Sequence, residues 1–109
     1  MIRMAGLGLA LIALLVAGKM LMQHSLTPHT VTLNWQTPPD VPGVQVVGYN
    51  VYRKETTGTQ FTRIATRVTG LSYEDRLVTS GKNYSYVVTS TDQAGRESRF
   101  SEEVKAQVP

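Results

Sequence analysis

The sequence predicts an all-β antiparallel sandwich carried behind one apolar N-terminal helix. Three observations lead there. After residue 30, six short segments alternate apolar and polar side chains with a period of two. Pro and Gly clusters separate these segments, and none of them shows helical spacing. A chain of 109 residues holds one compact domain at most, since domains usually run about 100–150 residues.

The helix is expected within residues 1–22. Met4 to Gly18 (MAGLGLALIALLVAG) contains no charged side chain, and Arg3 stands just before it. A short positive start followed by an apolar stretch is the layout of an export signal. A buried core helix is the weaker reading, because about 80 remaining residues cannot surround a helix that is apolar on every side. From Met4 to Ala17 the helix rises about 21 Å, short of the ~30 Å hydrocarbon layer. If Lys19 snorkels, the stretch continues through Met20-Leu21-Met22 to about 28 Å, nearly enough to span. Val16 and Gly18 tolerably fill the small-residue positions before a cut at Lys19. Residues 1–22 are therefore read either as a cleaved signal peptide or as a retained transmembrane anchor. Both place the rest of the chain outside the cytoplasm, membrane-anchored through residues 4–22 in one case and secreted or periplasmic in the other. Gln23 to His29 is a polar linker whose two histidines lack a third ligand for a zinc site.

The domain itself spans residues 30–109. In Thr30 to Gln36, Val31, Leu33 and Trp35 share one face, so this is a strand with one buried side. Pro38, Pro39, Pro42 and Gly43 interrupt it. Val46 to Lys54 is a second strand rich in β-branched and aromatic residues. Gln60 to Ala65 and Thr69 to Glu74 are shorter strands, the latter with Leu71 and Tyr73 on one face. Tyr84, Tyr86 and Val88 alternate with Ser85, Val87 and Thr89 in the most regular segment, and Glu102 to Val108 closes the series.

Several of these pieces together resemble a fibronectin type III domain of the kind found in exported bacterial proteins. They are Val31-Thr-Leu-Asn-Trp35, Val47-Gly-Tyr-Asn-Val-Tyr-Arg53, Leu77-x6-Tyr84-x-Tyr86-x-Val88, Asp92-Gln-Ala-Gly-Arg-Glu-Ser98, and Ser101 with Val104. The resemblance covers about three quarters of the chain and implies an immunoglobulin-like sandwich of six or seven antiparallel strands. It also implies structural roles for four residues. Trp35 and Tyr49 would lie in the core, and Tyr84 would bond back to the backbone near a core Leu77 in the tyrosine-corner manner. One departure stands out: the place of the family's first strand is taken by Lys19 to His29. Either part of that segment supplies a ragged strand, or the edge of the Trp35 strand is open to pairing.

Chemistry is excluded more firmly than binding. With no cysteine, structural disulfides, thiolate nucleophiles, Cys-bound zinc and iron–sulfur clusters are ruled out. The serines have no histidine inside the domain to activate them. Neither Glu74-Asp75 nor Glu102-Glu103 forms a carboxylate pair, because neighbours on a strand face opposite ways; both read as solvated charge. No cofactor is implied. Arg3 and Lys19 supply two of the 11 cations, leaving 9 against 8 anions without a basic run, so nucleic acid is not expected.

The expectation is thus a non-catalytic, extracellular protein-binding or adhesion module of unspecified oligomeric state. Its contact surfaces would be the loops carrying Pro38, Pro39 and Asp40, and Gln93, Arg96, Glu97 and Arg99. A chain that ends as its last strand finishes leaves a spacer nothing to hold apart, although a fragment of a longer protein fits too. The alternatives are a passive spacer and a carbohydrate-associated accessory domain binding polysaccharide. The latter needs an exposed aromatic platform, for which Tyr52 and Phe100 are the candidates.

Overall fold

A computed structural model describes residues Leu11–Leu14 and 29–109. Seven strands run in chain order: β1 (Leu11–Leu14), β2 (Val31–Trp35), β3 (Val46–Glu55), β4 (Thr62–Val68), β5 (Ser72–Asp75), β6 (Asn83–Asp92) and β7 (Val104–Gln107). They form two antiparallel sheets, one ordered β1-β2-β5 and the other β4-β3-β6-β7. This is the sandwich that the period-two pattern predicts.

The alternation explains the packing. Val31, Leu33 and Trp35 from one sheet meet Tyr49, Val51, Tyr84, Tyr86, Val88, Ala106 and Val108, and all ten are buried. The Trp35 and Tyr49 rings touch across the layers with centroids 5.5 Å apart. The Tyr84 hydroxyl accepts the Thr79 N–H at 2.9 Å, pinning the crossover between β5 and β6. Such a bond contributes on the order of 1 kcal/mol.

Two expectations are corrected. Leu77 is not in the core but is 81 % exposed. Its neighbour Val78 packs against the core instead, because the carboxylate of Asp75 captures the Leu77 N–H and turns the chain by one residue. The strand expected at 60–65 lies at Thr62–Val68. Pairing with β3 shifts register around Val51, and Arg67 adopts a left-handed φ of 58° whose N–H is held by Asn50 Oδ1 at 3.1 Å.

At the edge of the smaller sheet, Leu11–Leu14 pairs with β2 from Leu11 opposite Trp35 to Leu14 opposite Thr32. The physical reason is the free edge: β5 covers only one side of β2, and unpaired ladder groups on the other side accept a further strand. The remainder of the expected helix and the linker before residue 29 lie outside the described residues. Among the described residues, no helix is long and apolar enough to cross a membrane.

Candidate functional site

The residues that face outward from the larger sheet gather into an aromatic and charged surface. On β3, Tyr49, Val51 and Arg53 point into the sandwich, so Asn50, Tyr52 and Lys54 point out. Arg63 stands opposite Tyr52 in the β3–β4 register and shares that face. Phe61 sits just before β4, and the chain between β6 and β7 folds back to add Glu97 and Phe100.

These groups touch. Tyr52 and Phe100 rings lie 5.0 Å apart at 54°, and Phe61 and Phe100 lie 5.5 Å apart at 70°. The Arg63 guanidinium stands 5.7 Å over the Tyr52 ring and the Lys54 ammonium 5.3 Å over Phe61. Phe100 is 46 % exposed. Glu97 fastens the returning loop to the sheet: its Oε2 accepts from Thr89 Oγ1 at 2.6 Å, from Asn50 Nδ2 at 3.1 Å and from the Tyr52 hydroxyl. Burial works against the Glu97 charge, but these bonds and the positive charge of Arg63 outweigh it. They hold its carboxyl below the usual carboxylate range. Burial, then the bond to Glu97, pushes the Tyr52 phenol up, so it remains a donor.

The same loop is braced at its base. Asp92, itself buried, accepts the N–H groups of Ala94 and Arg96 and the Arg96 side chain, all near 3 Å. Burial raises the Asp92 carboxyl, and the bonds from Arg96 and Ala94 more than reverse this, leaving it below its ordinary value. Gly95 takes the turn at φ 82°, a conformation that glycine adopts without strain. Two carboxylates held low in the folded state contribute stability that is present above their unfolded value of about 4 and lost as pH falls through the lower folded values. The melting temperature should therefore stay level from neutral pH to about 5 and fall below about 4. Thermal melts across that range check this, and Glu97→Gln should flatten part of the decline.

The loop residues expected to make contacts are mostly occupied in holding the loops. Gln93 joins the two loops: its Oε1 accepts the Gln45 N–H at 2.8 Å, and its Nε2 donates to the Gly43 carbonyl at 3.0 Å. Arg96 pairs with Asp92 and Glu97 lies on the sheet, as above. Pro38 is buried, whereas Pro39, Asp40 and Arg99 are exposed. Sequence reasoning missed Phe61, although the hairpin register carried the signal. With Arg63 opposite Tyr52, residue 61 falls opposite Lys54. It also missed Asp75, read as solvated charge but 2 % exposed. Among the described residues, no group of three or more His, Asp or Glu side chains could hold a metal ion.

Residues 22–109 match the family model described as fibronectin type III domain, SaeA third domain. The chain belongs to the fibronectin type III family. A crystal structure of a Fn3-like protein from Clostridium thermocellum is 34 % identical, covers 78 % of this chain and 82 % of that one, and superposes with a TM-score of 0.63. An amylopullulanase of Thermoanaerobacter thermohydrosulfuricus is 44 % identical over 62 residues, which is 57 % of this chain and 4 % of the relative. Exoglucanase B of Cellulomonas fimi is 35 % identical over 77 residues, 71 % of this chain and 6 % of the relative. The chain thus spans only a few per cent of the length of these curated relatives. This fibronectin type III domain is a non-catalytic module, and its relatives include modules within enzymes named for acting on polysaccharide.

Proposed function

We propose that this fibronectin type III domain is an exported accessory module that associates with polysaccharide through the outer face of its larger sheet. The observation that carries the reading is the meeting of Tyr52, Phe61 and Phe100 on that face, brought together from a strand and two separate connections. Sugar rings present C–H faces that pack on aromatic rings, and their hydroxyls need donors and acceptors at the margin. Arg63 and Glu97 supply one of each. The relatives within an amylopullulanase and an exoglucanase support this reading over adhesion. Residues 1–22 would direct the chain across the membrane and leave 30–109 outside.

Affinity electrophoresis tests it. The chain should be retarded in gels containing soluble α- or β-glucan, and Phe100→Ala should weaken the retardation about tenfold, the factor carried by some 1.4 kcal/mol of lost contact. Equal mobility with and without every glucan would refute the proposal. A protein-binding reading draws on a different observation, the bonds by which Gln93 ties the loop of Arg96 to Gly43 and Gln45. Arg96→Ala with Asp40→Ala would then reduce partner capture without changing glucan retardation.

A further inference from the structure

Ring orientation on this face says which physical form of polysaccharide it accepts. A crystalline polysaccharide presents its sugar rings in one plane, so a protein that adheres to it must offer several aromatic faces in one plane as well. Here the rings lean against each other instead. Tyr52 and Phe100 are 54° apart, and Phe61 and Phe100 are 70° apart, at centroid separations of only 5.0 and 5.5 Å. No flat surface can lie on more than one of them. Two of the rings also have a face already covered by a cation, Tyr52 by Arg63 and Phe61 by Lys54. A ring face so occupied would have to give up a favourable contact before stacking on sugar.

What remains is small and directional. Phe100, nearly half exposed, is the ring left without a cation on its face. All three side-chain bonds to Glu97 fall on Oε2, so Oε1 is left to accept from a hydroxyl. Arg63 is engaged with Tyr52 but makes no ion pair within 4 Å among the described residues, and a guanidinium has five N–H donors, more than that contact uses. One ring, one acceptor and one donor fork match a single sugar unit approached at an angle. A chain free in solution can turn to meet that angle, whereas one locked in a crystal cannot.

We propose that the Phe100 face takes a single, soluble glycan chain and does not adhere to crystalline polysaccharide. This rests on the polysaccharide reading above and adds the form of the ligand.

The experiment uses the full chain in a polyoxyethylene detergent, whose headgroup is not a sugar. Depletion on microcrystalline cellulose is measured beside retardation by pullulan, hydroxyethylcellulose and polygalacturonate. Phe100→Ala is compared with Leu71→Ala, an exposed apolar side chain outside this face, and circular dichroism checks that both variants fold. Retardation by at least one of the soluble glycans, about tenfold weaker in Phe100→Ala and unchanged in Leu71→Ala, with no depletion on cellulose, is the expected result. Depletion on cellulose that Phe100→Ala abolishes would overturn this inference while leaving the polysaccharide reading intact. Absence of any interaction would overturn both.

Discussion

Asp75→Ala should destabilise the domain by about 3 kcal/mol, the lower part of the range for breaking a buried ion pair. Asp75 lies on the smaller sheet, and its two side-chain partners, Arg53 and Tyr86, lie on the larger. Its carboxylate accepts from Arg53 Nη1 at 2.9 and 3.1 Å, from the Tyr86 hydroxyl at 2.7 Å and from the Leu77 N–H at 3.1 Å. Arg53 continues the cluster, donating to the Leu77 carbonyl at 3.2 Å and standing 5.4 Å over the Tyr84 ring. Burial opposes the Arg53 charge, but Asp75 outweighs it and holds the guanidinium above its ordinary value. Burial, reinforced by Asp75, likewise pushes the Tyr86 phenol up.

Alanine at 75 would leave the half-buried Arg53 guanidinium without its counter-ion and the buried Tyr86 hydroxyl without its acceptor, which is why the loss exceeds that of one hydrogen bond. The lower part of the range applies because the Arg53 side chain keeps 24 % of its exposure. Removing all the polar partners together should cost less than removing one, since no buried group is then left unpaired. Urea titration of the full chain decides this. Arg53→Met with Asp75→Leu and Tyr86→Phe should recover much of the midpoint lost in Asp75→Ala. A single-variant loss below about 1 kcal/mol would contradict the account.

Trp35→Ala should cost about 3–5 kcal/mol, the usual range for truncating a buried tryptophan. The indole is 3 % exposed and bridges the sheets through Tyr49, so its removal leaves a void that neither sheet can close alone. Trp35→Phe should cost much less. It keeps most of the ring contact, and the indole Nε1–H has no acceptor among the described residues, so no hydrogen bond is lost with it. The tryptophan is the sole one in the chain, so its fluorescence reports directly. Emission should be blue-shifted in the folded protein and move to the red in step with the urea transition. Red emission before any denaturant is added would mean that the core is not closed over Trp35.

The clarity of the sequence differed between the two faces of each strand. Val31, Leu33 and Trp35, or Tyr84, Tyr86 and Val88, identify their shared side by composition, because burying apolar surface is a local preference repeated at every second residue. Asp75 gave no such signal. A carboxylate at the end of a short strand looks solvated until two residues from another sheet are placed over it. Leu77 misled for a related reason. Leu77 and Val78 are both apolar neighbours, and spacing from Tyr84 alone did not decide which of them turns inward.

The order of strands, the one-sided apolar alternation and the absence of thiol or histidine chemistry within the domain follow from residue types and their spacing along the chain. They depend on near neighbours, and near neighbours are what a linear string records. The aromatic face joins positions 52, 61, 97 and 100, and the inter-sheet cluster joins 53, 75 and 86. Each depends on a connection folding back at a particular angle or on two sheets meeting in a particular register. Those relations arise from packing between distant segments, and no short stretch of the chain contains them.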